Sequence, residues 1–270
     1  MCRFLAYLGP AIPIEQLLCK PPHSLLVQAS NPREMDEART NADGYGVGWF
    51  DPGKSTFPYI YKQTLPIWGD GNLPHLSRYV ESGCWFGHVR SASPGLAVDR
   101  CNCQPFSSEG FSHASPLLYA HNGYVNDYRD TLYLPIRDSL EDDVSLQIHG
   151  TTDSEHIFGM ILNQWCRLPE LSLADAVESA LHQFAGIAEA KGGVYFCANV
   201  LISDGKQIVA ARYSREPPSL SLYYLKDDPH YRNAVIIASE PLFEGNWTPC
   251  PEQSMLLVNE DREVSTWGIS

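Results

Sequence analysis

The sequence predicts an α+β fold in which antiparallel sheet dominates. Three observations carry this. Short strand-like runs fall into two groups along the chain, and each run ends in Gly, Pro, Asn or Asp turn chemistry. The clearest helical periodicity lies between the two groups rather than alternating with strands, which favours helices packed on sheet layers over repeated βαβ units.

The first group reads "CRFLAYLG", "GYGVGWF", "PYIYKQ", "CWFGHVRS" and "PLLYAHNG", with a short helix expected at "LPHLSRYVES". Two longer helices follow. In "TDSEHIFGMILNQWCRL" either Thr152 or Asp153 caps the start. In "LADAVESALHQFAGIAEA" Leu173, Val177, Leu181 and Phe184 recur on one face, and Ser172 is the N-cap with Asp175 three residues on. The second group reads "YFCANVLIS", "QIVAARYS", "LSLYYLK", "AVIIAS" and "SMLLVN", and Asp204-Gly205 turns the chain between its first two members. The three glycines of "RTNADGYGVGWF" mark a strand that another segment approaches closely. No internal repeat or low-complexity tract divides the chain, so a single domain spanning 2–270 is expected.

The composition narrows the function. A chain of 270 residues, 44% hydrophobic and 19% charged, buries a sizeable core. With 19 Lys+Arg against 32 Asp+Glu the formal charge is -13, which disfavours nucleic acid and anionic membranes as partners. No apolar run reaches the roughly 18–20 residues of a membrane span, and the N-terminal stretch, interrupted by Glu15 and two prolines, lacks a signal peptide's layout. A cytoplasmic protein is the expectation. The eight cysteines are scattered, as free thiols are. Cys101 and Cys103 stand as C-x-C without a second ligand pair, so no metal and no cofactor are expected.

The second residue is a cysteine. Once Met1 is removed, Cys2 carries a thiol and a free α-amine on one carbon. The amine, with an ordinary pKa of about 7.7–8.0, serves as base for a thiol whose own pKa is about 8.5. The residue also fits a buried strand with no catalytic part. Arg90 closes the run "WFGHVRSAS", where a guanidinium either meets water or forks onto a carboxylate. Asn122-Gly123 is either a turn or a pair of oxyanion donors. Asp153, at a helix start, either caps or receives an ammonium group.

Taken together and in order, Cys2, "NADGYGVGW", "HVRSAS", "HNG" and "TDSE" resemble the class II glutamine amidotransferase family of N-terminal-nucleophile hydrolases, over about the first two thirds of the chain. The resemblance implies a four-layer αββα sandwich of two antiparallel sheets between helix layers. It implies Cys2 as nucleophile, Asn122 and Gly123 as oxyanion donors, and Arg90 and Asp153 as grips on the α-carboxylate and α-ammonium of a γ-glutamyl group. It also assigns Ser93 and His121 to the substrate pocket. Many members read Arg-Trp-Ala-Thr where this chain has Arg90-Ser91-Ala92-Ser93. Loss of the ring implies a more open pocket, able to admit a leaving group larger than ammonia.

Within the family, "MCRFLAYLG", "LLVQAS", "MDEARTNADGYGVGWF" and "TLPIWGDGNL" are most similar to the γ-glutamyl amidohydrolases of ergothioneine biosynthesis, which release glutamate from γ-glutamyl-hercynylcysteine sulfoxide. The amidotransferase-like subunit of the fungal glutathione-degrading complex shares them. A small-molecule γ-glutamyl substrate is therefore expected. The alternatives are glutathione or γ-glutamyl peptides, or glutamine with ammonia passed to a separate synthase; a separate synthase or peptidase subunit is the partner these imply.

Overall fold

The computed structural model describes residues 2–34, 40–93, 95–111, 115–167 and 170–269. Met1, the 35–39 part of the glycine-rich motif and Leu168, at the tail of the first long helical run, lie outside the described residues.

Thirteen strands among these residues form two antiparallel sheets. They are β1 (Arg3–Pro13), β2 (Tyr45–Trp49), β3 (Tyr59–Gln63), β4 (Glu81–Val89), β5 (Phe106–Ser107), β6 (Leu118–Val125), β7 (Phe196–Ser203), β8 (Ile208–Ser214), β9 (Tyr223–Asp228), β10 (Tyr231–Ala238), β11 (Thr248–Pro249), β12 (Ser254–Val258) and β13 (Val264–Gly268). One sheet has seven strands in the order β11-β9-β10-β1-β4-β2-β3, and the other six in the order β13-β12-β8-β7-β6-β5.

Side-chain alternation makes the layers. Phe4 and Ala6 of β1, Phe86 of β4, Leu118 and Ala120 of β6 and Ile237 of β10 pack together between the sheets. On the outer face of the six-stranded sheet, Tyr119 and Val125 meet the helices α7 (Asp153–Arg167) and α8 (Leu173–Ala190) through Phe158, Ile161, Leu181 and Phe184. On the outer face of the other sheet, Leu5 and Tyr7 meet α1 (Glu15–Leu18), α2 (Leu25–Gln28) and α3 (Leu73–Tyr79). The expected αββα sandwich is thus the observed one. Three more short helices, α4 (Tyr128–Thr131), α5 (Tyr133–Ser139) and α6 (Asp142–Leu146), lead from β6 to α7.

Local chemistry sets the helix starts. Ser172 caps α8 in a reciprocal box with Asp175. At α7 the hydroxyl of Thr152 accepts from the Glu155 N–H at 3.3 Å, so Thr152 caps and Asp153 is left as the first helical residue. Among the described residues no helix is long and apolar enough to cross a membrane.

The glycine-rich strand β2 explains its own composition. A Cβ on Gly46 would fall 2.3 Å from the backbone oxygen of Gln104, so the segment leading to β5 lies directly on β2. Backbone cannot retreat as a flexible side chain does. Gly46→Ala is therefore expected to lower stability by about 1–3 kcal/mol, the usual penalty of overpacking, measured as a shift in urea midpoint at unchanged slope.

Candidate active site

Strand alternation and register assemble the site. Cys2 precedes Phe4 by two residues and so shares its inter-sheet face. The β1–β4 ladder pairs Phe4 with His88 and Arg3 with Val89, which sets Cys2 beside Arg90 at the end of the same ladder. The Cys2 thiol is partly buried and donates toward the Ser91 carbonyl oxygen at 3.8 Å. Burial pushes its pKa up; the Arg90 cation acts to lower it and the Asp153 carboxylate to raise it, so both charges are felt at the sulfur. A thiol so raised is protonated at neutral pH, and attack requires a base.

A buried ion pair holds the backbone of Cys2. Arg3 Nε donates to Glu240 Oε1 at 2.8 Å, Nη1 to the Cys2 carbonyl at 2.9 Å and Nη2 to the Glu34 carbonyl at 3.1 Å. Glu240 also receives His23 Nε2 at 2.6 Å, the Arg33 N–H at 2.8 Å and the Glu34 N–H at 3.2 Å. Burial alone would raise the Glu240 pKa, but the bonds from His23, Arg33 and Glu34 together with the Arg3 charge hold it below the ordinary value.

The Arg90 guanidinium is buried and donates to two backbone carbonyls, Asp43 at 3.2 Å and Ala97 at 3.3 Å. Among the described residues no carboxylate pairs with it. Asp43 braces the loop instead, its Oδ2 accepting the Ala92 N–H at 2.8 Å. A buried cation satisfied only by carbonyls is a ready seat for an anion.

From the facing sheet, Asn122 reaches between the layers. As placed, its Nδ2 donates to Ser239 Oγ at 3.2 Å, and the same oxygen accepts the Phe4 N–H at 3.0 Å. Ser239 has one proton to give, and the other end of the Asn122 amide is buried and unpartnered. With the amide turned so that Oδ1 accepts from Ser239, the unpartnered end is an N–H₂ donor free for a ligand. Gly123 follows, and no side chain fits there. A Cβ would lie 2.0 Å from the Cys197 carbonyl oxygen and 2.3 Å from His121 Nε2.

Asp153, Ser93, Leu96 and Tyr124 line a cavity of about 450 Å³ that extends to Tyr128 and Arg129 of α4. Ser93 and Asp153 thus line this cavity, Cys2 and Arg90 are brought near it by the Ser91 contact and by the two charges felt at the sulfur, and Asn122 is joined through Ser239 to the Phe4 N–H, two residues from Cys2, with Gly123 beside it. His121 does not join them. It shares the face of Tyr119, and its buried ring points away from the inter-sheet side, Nδ1 lying 2.8 Å from Ser154 Oγ of α7. The expectation of direct substrate contact by His121 is corrected by strand parity, because neighbours on a strand face opposite ways.

Of the aromatic residues, Trp85 is buried in the outer core and Trp49 stacks on Tyr59, while Trp68 is exposed. Tyr124 lines the cavity beside Asp153. Among the described residues no group of three or more His, Cys, Asp or Glu side chains gathers to hold a metal, and all eight cysteines are free thiols. The supporting residues Arg3, Asp43, Ser239 and Glu240 were not anticipated. Arg3 alone carried a signal, as a charge inside an apolar strand run that demands a buried partner.

The family model described as class-II glutamine amidotransferases matches residues 21–242, a stretch that begins after Cys2. The probable glutamine amidotransferase DUG3 of Saccharomyces cerevisiae is 28% identical over 302 residues, covering 96% of this chain and 82% of that protein. The gamma-glutamyl-hercynylcysteine sulfoxide hydrolase of Mycobacterium tuberculosis is 27% identical over 261 residues, covering 96% and 94%. Among solved structures, a glutamine aminotransferase class-II domain protein from Silicibacter pomeroyi aligns with TM-score 0.71 at 23% identity over 99% of both chains. The glutamine phosphoribosylpyrophosphate amidotransferase of B. subtilis aligns with TM-score 0.68 at 17% identity over 100% of this chain and 49% of that one. At these identities the two structures speak for the fold.

The Arg3–Glu240 pair gives a test of what holds Cys2. Glu240→Gln leaves a buried guanidinium uncompensated and is expected to cost about 3–5 kcal/mol near neutral pH, read from denaturant midpoints. Because the folded carboxyl titrates below its unfolded value, this stabilisation is present above the ordinary carboxylate pKa and is lost as pH falls through the folded one. The wild-type and variant stabilities should therefore converge in acid.

Proposed function

Because the chain belongs to the class-II glutamine amidotransferases, we propose that it hydrolyses γ-glutamyl amides with the Cys2 thiol as nucleophile. The observation that carries this reading is the closeness of three groups: a partly buried thiol that feels both charges, a buried guanidinium with no carboxylate partner among the described residues, and a helix-start carboxylate that lines the neighbouring cavity. A glutamyl head is a zwitterion, and it needs one fixed cation and one fixed anion. Arg90 takes the α-carboxylate and Asp153 the α-ammonium, which brings the γ-carbonyl to Cys2; Ser93 lines the same cleft.

After Met1 is removed, the Cys2 thiol gives its proton to its own α-amine and the sulfur attacks the γ-carbonyl carbon. The oxyanion is received by the Asn122 amide, oriented by Ser239, and by the Gly123 N–H. Collapse breaks the C–N bond, and the α-ammonium protonates the leaving amine. Water, deprotonated by the same amine, then attacks the γ-glutamyl thioester and releases glutamate with the thiol restored.

The substrate we assign is γ-glutamyl-hercynylcysteine sulfoxide, on the strength of the similarity to the mycobacterial hydrolase over nearly the whole chain. Ser91 in place of a bulkier ring supports a large leaving group. A second reading is favoured by the yeast relative, whose name is that of a glutamine amidotransferase: glutamine would be the substrate, and ammonia would pass to a separate synthase subunit. Free thiols at all eight cysteines suit a reducing, cytoplasmic setting.

Glutamate release from γ-glutamyl-hercynylcysteine sulfoxide, glutathione and glutamine, assayed side by side, separates these readings. The first substrate should be preferred; a preference for glutamine would select the second reading. Cys2→Ala should abolish turnover, and full activity in protein that retains Met1 would overturn the mechanism. Asn122→Ala should lower kcat by roughly 10²–10³, the usual cost of an oxyanion donor. Ser239→Ala should lower kcat by less than that, because the donor remains and only its orientation is lost.

A further inference from the structure

We infer that His121 is a positioning residue which, through Ser154, fixes the ammonium-binding carboxylate of Asp153 at a set distance from the oxyanion donors. The inference rests on the reading of Asp153 given above. Three bonds carry it. His121 Nδ1 lies 2.8 Å from Ser154 Oγ, Ser154 Oγ donates to Asp153 Oδ1 at 3.3 Å, and the Ser154 N–H donates to the same oxygen at 2.8 Å.

A serine hydroxyl has one proton: given to Asp153 it leaves the Ser154 oxygen to accept from His121 Nδ1–H, and given to His121 Nδ1 it leaves Asp153 Oδ1 to the Ser154 N–H. Burial lowers the imidazole pKa and keeps the ring neutral, so in either tautomer it bonds Ser154 without adding a charge. In both arrangements Ser154 holds Asp153 Oδ1, through its N–H at 2.8 Å, and Oδ2 is left for a ligand.

The two ends of the chain belong to different elements. His121 is on β6, adjacent to Asn122, and its ring lies under Gly123; Ser154 and Asp153 open α7. The α-ammonium and the γ-carbonyl of one glutamyl group are a fixed number of bonds apart. A side-chain bridge between the element that reads one and the element that reads the other sets that spacing directly. The same bridge accounts for a buried polar histidine on a helix-facing strand position where an apolar residue would pack at less cost.

The test compares the best substrate of the side-by-side assay with its glutaryl counterpart, identical but for the missing α-amine. Ser154→Ala and His121→Leu should reduce the wild-type preference for the amino-bearing substrate about five- to tenfold, the size of one hydrogen bond. The loss should fall mainly on KM, with glutaryl turnover within about twofold of wild type on the same reasoning. His121→Asn places an amide group, able to donate or accept, near the position of Nδ1 and should retain most of the preference. If Ser154→Ala and His121→Leu slow both substrates equally, the inference is overturned, and Asp153→Asn then decides about the underlying reading. Loss of the preference in Asp153→Asn would leave that reading standing; an unchanged preference there, or none in wild type, would remove it.

Discussion

The carboxylate of Glu240 is the point on which the site depends. It lies just beyond β10 and receives Arg3 from β1, His23 from the segment before α2, and two backbone N–H groups from residues 33 and 34. Four donors from three parts of the chain converge on two oxygens, which is close to the full capacity of a carboxylate. A buried pair of this kind contributes little net stability against an apolar alternative, since desolvation consumes most of the Coulombic gain. Its effect is positional. Because Arg3 also holds the Cys2 carbonyl, the backbone of the proposed nucleophile is tied to the middle of the seven-stranded sheet.

The sandwich supplies the rest by parity. Along each strand alternate residues face the partner sheet, so the inter-sheet layer that is apolar at Phe4, Phe86, Ala120 and Ile237 turns polar two residues further on, at Cys2, His88, Asn122 and Ser239. The core and the site are one layer read at different depths. Ser239 bonds both the Phe4 N–H and the Asn122 amide and so joins the sheets where packing gives way to chemistry.

What the sequence made legible follows the same logic. Long periodic stretches such as "YFCANVLIS" and the α8 face of Leu173, Val177, Leu181 and Phe184 carry several repeats of their pattern, and they appear as β7 and α8. The two-residue strands β5 and β11 and the one-turn helices α1, α2 and α4 complete no repeat, so no period could announce them. Site residues with distinctive chemistry stood out in the sequence, and those that support them did not. Nothing local marks Glu240 as the partner of Arg3 from 237 positions away, or Ser239 as a neighbour of Asn122. His121 entered through the family resemblance alone, and only the observed parity shows which layer it serves.

The cleft's two fixed charges pull the Cys2 thiol in opposite directions, the Arg90 cation favouring the thiolate and the Asp153 anion disfavouring it. On the proposed reading, a zwitterionic head group would neutralise both at once, so the electrostatic setting of the sulfur would be buffered against occupancy by the right ligand. A glutaryl mimic that lacks the amine would cancel only the cation, leave the anion bare, and make the thiol a weaker acid when it needs to ionise. Selection for the amino group would then operate twice, once as affinity and again as reactivity, through a single pair of side chains.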